Sequence, residues 1–284
     1  MLLSNGIALS QLPSAWDPAP LVLAAAGVGA LRFAHAFRRL RRRGRSDHAG
    51  WDRALLFAAG LACVTIPLIS PLDAAGDSYL LSAHMLEHLL LGDAGPALLL
   101  LAVRGPLLAF MLPVPLVRFV ARRRPLHRIV SELNRPVAAI ASWAASLAVW
   151  HVPALYDATL RHPLLHDLEH GMFFGTGLLV WTQLIDPARR GRLTAGRRIV
   201  VAAAFFLLGQ ILSGVLFLSP TALYPAYAGQ PVRLFGLSPL HDQQYAGLVM
   251  MAEQLLTVGT FVVLLVASFL RDLDRPEREL VALR

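Results

Sequence analysis

Apolar residues run through this chain in long blocks, with no two-residue alternation, and short clusters of arginine, proline or glycine separate the blocks. Seven blocks approach the roughly 20 residues that a helix needs to cross a hydrocarbon core of about 30 Å. They are Pro20 to Phe37, Trp51 to Ser70, Tyr79 to Val103, Pro136 to Tyr156, Leu164 to Ile185, Ile199 to Leu218, and Gln243 to Leu270. An eighth piece, Pro106 to Val117, is broken by Pro113 and Pro115 and is too short to cross, so it reads as interfacial or re-entrant. Pro71 to Asp77 reads as a short polar turn on the outer side. The expected fold class is all-α: a polytopic transmembrane bundle of about seven spans.

Charge gives the bundle an orientation. Arginines crowd after the first span (Arg38, Arg39, Arg41, Arg42, Arg43, Arg45), in the loop from Arg118 to Arg135, and after the fifth span (Arg189, Arg190, Arg192, Arg197, Arg198). Of 26 basic residues only Arg161 and Arg233 fall in loops assigned outside, the one-sidedness that cytoplasmic loops show. This predicts an outer N-terminus and a cytoplasmic C-terminus in a multi-pass protein of the cell membrane. Residues 1–19 form an external tail, 20–270 a single membrane domain, and 271–284 a cytoplasmic tail. Met1 to Asp17 has no basic start and so resembles a tail more than a cleavable signal peptide.

Composition then removes several classes of function. Hydrophobic residues make up 56% and charged residues 15% of the chain, against about a quarter charged in soluble domains. The net charge of +8 is accounted for by membrane orientation, so the lipid bilayer is the expected partner and nucleic acid is not. Every basic residue is arginine, which leaves no lysine for a retinal Schiff base. The single cysteine, Cys63, lies in an apolar stretch and can form neither an internal disulfide nor a cysteine-pair metal site.

Histidines carry the remaining chemistry. His84 and His88 stand four apart at the outer start of the third span, and His166 and His170 repeat that spacing at the outer start of the fifth. Each pair shares a helix face and can grip one ion. His151, after Trp150, reaches the same membrane level from the fourth span, which gives five candidate ligands. Met85 adds a soft thioether suited to Cu(I). Glu87 and Glu169, each preceding the second histidine of its pair, are accessory acceptors that can orient imidazole N–H groups. Ionisable groups at such depth generally face the bundle interior and mark function. Asp93 lies deeper, between Gly92 and Pro96, and takes no assigned role. His241 is a further accessory candidate, and Asp242 is expected to cap the start of the seventh span. Met250 and Met251 read as packing. His35, His48 and His127 fall beside the cytoplasmic arginines and are excluded.

The ordered strings His84-Met85-Leu86-Glu87-His88 with Pro96, Trp150-His151-Val152-Pro153-Ala154-Leu155-Tyr156-Asp157, His166 to His170 before Phe173-Phe174, and Asp242-Gln243-Gln244 with Gly247 resemble the CtaG family. Those membrane proteins assist assembly of caa-type cytochrome c oxidase and are distinct from the single-span copper protein that shares the name. The resemblance spans roughly residues 50 to 270. It implies a membrane assembly factor whose histidines bind copper and deliver it to an oxidase subunit, with a copper donor protein as a further partner. Zinc, iron and haem stay open as alternatives to copper. Three rival functions remain: a histidine-rich membrane metalloenzyme, a haem-binding redox protein, and a carboxylate-based transporter. Enzyme activity is the less favoured expectation.

Overall fold

The computed structural model describes residues 8–191 and 193–282, with side chains described as far as Arg271. Arg192, Arg284, the start of the expected outer tail and the side chains of most of the expected 271–284 tail therefore lie outside the described residues. Every regular element among those described is helical. In chain order they are α1 (Pro20–Arg42), α2 (Trp51–Ile69), α3 (Pro71–Ser78), α4 (Leu81–Leu89), a π turn (Leu90–Ala94), α5 (Gly95–Ala102), α6 (Pro106–Met111), α7 (Val114–Arg122) and α8 (Arg124–Leu133). They continue with α9 (Pro136–Trp150), α10 (Pro153–Thr159), α11 (Pro163–Ile185), α12 (Ala195–Leu218), α13 (Pro225–Ala228) and α14 (Pro239–Ala282).

Among the described residues, five helical stretches are long and apolar enough to cross a membrane: Pro20–Arg42, Ser46–Ile69, Leu81–Ala102, Ala195–Leu218 and Pro239–Arg271. The expected fourth span is not one straight helix. It breaks between α9 and α10 with a bend of 81°, and it makes a sixth crossing if the two pieces count together. Pro153 causes the break, because proline pushes the residue before it out of the helical region, and Val152 sits at φ −65°, ψ 121°. The remaining segment, α11, has 23 residues but carries two histidines, an aspartate and a glutamate in its first half. A count of seven requires this polar helix as the seventh.

Two loops in the sequence reading prove to be helices. Pro71 to Asp77 is not a turn: Ser70 accepts a hydrogen bond from the Leu72 N–H and Pro71 supplies a preset first turn, so α3 forms. The arginine-rich loop from Arg118 to Arg135 holds α7 and α8, where Arg118 and Arg122, then Arg124 and Arg128, recur one helical turn apart.

Three apolar clusters hold the bundle. Phe33, Phe37, Leu40, Phe57 and Leu107 bind α1, α2 and α6. Trp143, Val180, Trp181, Phe205 and Val258 join α9, α11, α12 and α14. Met85, Tyr156, Leu216, Tyr224, Tyr227 and Met250 close the end near the histidines. At the opposite end of α5, the Arg53 guanidinium donates to the Ala102 and Arg104 carbonyls at 3.4 and 2.7 Å and so caps the helix C-terminus.

The π turn sets how closely α11 approaches. Pro96 has no N–H for the Gly92 carbonyl, so the α4–α5 helix widens there, and a Cβ built on Gly177 of α11 would collide with the freed Gly92 oxygen. Small residues allow this backbone contact, as they do between membrane helices generally. Gly177→Ala is therefore expected to lower stability by about 1–3 kcal/mol through forced separation. A thermal unfolding scan in detergent checks it, and an unchanged midpoint would mean the two helices yield freely.

Candidate metal centre

The close contact at Gly92 and Gly177 lays the first halves of α4 and α11 side by side. His84, His88, His166 and His170 each offer one ring nitrogen to a set whose members all lie within 4.8 Å of one another. Ring centroids are 4.3 Å apart for His84 and His88, 4.1 Å for His166 and His170, 5.3 Å for His84 and His166, and 5.2 Å for His88 and His170. His84 is fully enclosed and His88 and His170 are buried, whereas the His166 side chain keeps 13% of its surface exposed. The cluster thus has a deep end at His88 and a lip at His166.

The two glutamates cross over. Glu87 of α4 faces His170 of α11 at 3.7 Å, and Glu169 of α11 faces His88 of α4 at 3.9 Å. Both carboxylates are fully buried, with Asp73 beside Glu87 and Thr159 beside Glu169, and among the described residues no close, well-aligned hydrogen bond reaches their oxygens, either nitrogen of His88, Nε2 of His84, or Nε2 of His166 and His170. Buried polar groups are almost always satisfied, and here acceptors outnumber donors, since each neutral ring carries one N–H and one lone pair and each carboxylate only accepts, an excess that a cation among them would offset. The donor set therefore fits a bound metal ion. Four imidazoles suit copper or zinc, and the carboxylates supply compensating charge.

α3 brings two groups absent from the sequence-derived site. Asp77 Oδ1 lies 3.4 Å from His84 Nδ1 and 3.7 Å from His166 Nε2, at the lip. Asp73, Asp77 and His166 make up a second set of three possible ligands. Burial pushes the Asp73 carboxyl up to about 7, and the neighbouring Asp77 adds to the rise. Burial also pushes Asp77 up, but the adjacent His84 and His166 rings outweigh it and hold this carboxyl below the usual carboxylate range. The helix lies so close that a Cβ on Gly76 would sit 3.0 Å from the His84 backbone.

The other predicted residues lie outside the four-histidine set, His151 beside it and the rest further off. His151 caps the end of α9 and is not among the four clustered histidines; its Nε2 lies 3.3 Å from Met85 Sδ. Asp242 does not cap the start of its own helix. It lies in the first turn of α14 and caps α4 instead, accepting from the Leu81 N–H at 2.6 Å, the Ser82 N–H at 3.2 Å and the Ser82 hydroxyl. His241 is exposed and its N–H donates to Ser238 Oγ, away from the cluster. Asp93 accepts the Trp181 indole N–H at 2.6 Å. Tyr156, beneath His84 at 5.1 Å between ring centroids, donates to the Tyr227 hydroxyl, which donates to the Gly76 carbonyl, so α10, α13 and α3 are tied beneath the site.

Asp77 was within reach of sequence reasoning, since Ser70-Pro71 is a helix-start signal that would have placed α3. The repeated string His-x-x-Glu-His, at 84–88 and 166–170, carries the crossed arrangement in plain view.

A membrane bundle with a buried centre of histidines and carboxylates is the class that this fold and site define. Over residues 31–272 the chain matches the cytochrome c oxidase caa3 assembly factor family (Caa3_CtaG), and it belongs to that family. Similar curated proteins, both described as uncharacterized, come from Mycobacterium bovis and Mycobacterium tuberculosis. Each is 27% identical over 257 residues, which cover 84% of this chain and 37% of the relative. The chain therefore spans little more than a third of the length of those relatives. No solved structure matches it.

Proposed function

We propose that this chain holds copper as cargo among His84, His88, His166 and His170 and passes it to cytochrome c oxidase during assembly. The observation that carries this reading is the set of four ring nitrogens within 4.8 Å, in a chain whose family is that of oxidase assembly factors. Imidazoles without thiolates hold copper firmly yet release it to a partner, as delivery requires. Asp77 and His166 at the lip are where a copper donor protein would hand over the ion. Glu87 and Glu169 fix the ring tautomers and balance the charge.

The test is copper content and an optical spectrum on protein purified in mild detergent and loaded with Cu(I), comparing wild type with the His84→Ala, His166→Ala double variant. Wild type is expected to keep histidine-bound copper through desalting, and the variant to lose it. In cells the variant should assemble copper-poor oxidase, with activity restored by added copper. Retention of all copper in the variant overturns the reading, as does an iron centre with a Soret band.

A zinc-dependent enzyme is the second reading, favoured by the repeated His-x-x-Glu-His string, because that spacing presents two zinc ligands and a carboxylate on one helix. Stoichiometric zinc in the purified protein, retained against copper, would select it.

A further inference from the structure

A second group of donors lies next to the four histidines. A cavity of about 40 Å³ has in its wall Met85 and His88 of α4, His151 at the end of α9, Phe173 of α11 and Met250 of α14, together with Asp93, whose carboxylate is engaged by the Trp181 indole N–H. His88 thus belongs both to the histidine cluster and to this wall, and Phe173 stands 4.6 Å from the His88 ring and 6.1 Å from that of His151.

The contact between His151 and Met85 is what packing alone does not explain. His151 Nδ1 is 2.8 Å from the Leu147 carbonyl oxygen, which only accepts, so the proton of the neutral ring sits on Nδ1. Nε2 is then a bare lone pair. It points at Met85 Sδ from 3.3 Å, and a thioether sulfur carries lone pairs and no hydrogen. A packing methionine places its sulfur about 5 Å from an aromatic ring, commonly at the edge. Here two acceptors face each other with no proton between them, an arrangement that a soft cation would satisfy. A 3.3 Å separation lets one ion reach both donors at distances like the roughly 2.0 Å to nitrogen and 2.3 Å to sulfur that zinc makes with imidazole and thiolate. The cavity also exceeds the roughly 10–15 Å³ that one small occupant needs.

We infer that Met85 and His151, with Met250 across the cavity, form a second and softer site that takes Cu(I), reached from the four-histidine cluster through His88. The inference rests on the copper reading above and adds to it a second station of different chemistry. Thioether and imidazole together select Cu(I) over zinc and over hard cations, and as neutral donors they match a singly charged ion. The histidine cluster, backed by carboxylates, tolerates either oxidation state; the inner site admits only the reduced one.

The experiment is Cu(I) titration of the purified chain, with copper-edge X-ray absorption to identify the bound atoms. Wild type should bind two copper ions per chain with both nitrogen and sulfur neighbours. Met85→Leu with Met250→Leu keeps side-chain volume and so keeps the fold, which a matching thermal unfolding midpoint verifies. This variant should lose one copper and all sulfur scattering while retaining the nitrogen-bound ion. In His84→Ala, His166→Ala the sulfur scattering should persist. A wild-type chain with one copper and nitrogen neighbours alone overturns the inner site and leaves the histidine cluster standing. Sulfur-bound copper in wild type with nothing lost in the histidine variant does the reverse. A wild-type chain that binds no copper overturns both.

Discussion

Asp242→Ala is expected to lower the stability of the folded bundle by roughly 3 kcal/mol, the largest loss from any single side chain near the site. Losing an N-cap costs about 0.5–2 kcal/mol. Here the carboxylate also satisfies two N–H groups and a hydroxyl at the head of α4, and each buried donor left without a partner adds about 1–3 kcal/mol. The substitution should loosen the site as well, because the cap is three residues from His84. Asp242→Asn retains one accepting oxygen and should recover part of the loss. Unfolding in detergent, followed by circular dichroism, reads the effect. Equal midpoints for all three proteins would mean that α4 is held by packing alone.

Exchanging both glutamates, Glu87→Gln with Glu169→Gln, is expected to move affinity and stability in opposite directions. Each carboxylate faces a histidine of the opposite helix, and outer partners of this kind are worth about 10–100-fold in metal affinity. Competition against a chromogenic Cu(I) chelator should therefore show copper binding weakened by at least about tenfold. Metal-free protein should be as stable as wild type or more so, because two fully enclosed carboxylates are replaced by neutral amides. Sites commonly trade stability for function in this way. Unchanged copper affinity would reduce the glutamates to structural groups.

How much the sequence disclosed depends on whether the signal was local. Long apolar blocks and arginine clusters need only a window of the chain, so the helical membrane class and most helix positions were legible. The pairs His84/His88 and His166/His170 were legible for the same reason, since a four-residue spacing fixes a shared face. Their convergence was an expectation from membrane depth, and the structure gives it the specific form of crossed glutamates. What escaped depended on contacts far apart in sequence. Asp242 looked like the cap of its own helix because nothing local reveals that its partners are Leu81 and Ser82. Whether His151 joins the two pairs was open in the sequence because depth says nothing of direction; the structure places its ring against Met85, beside His88. α3 was read as a turn because two aspartates and a glycine in eight residues mask a helix whose start was nevertheless written in Ser70-Pro71.

The cap on α4 also has a meaning in time. A membrane chain is synthesised and inserted from its N-terminus, so α4 enters the bilayer long before α14 exists. Until Asp242 arrives, the Leu81 and Ser82 N–H groups lack the partner that anchors the helix bearing His84 and His88. Completion of the histidine cluster is thereby tied to the arrival of α14, and a nascent chain stalled before it leaves the head of α4 uncapped.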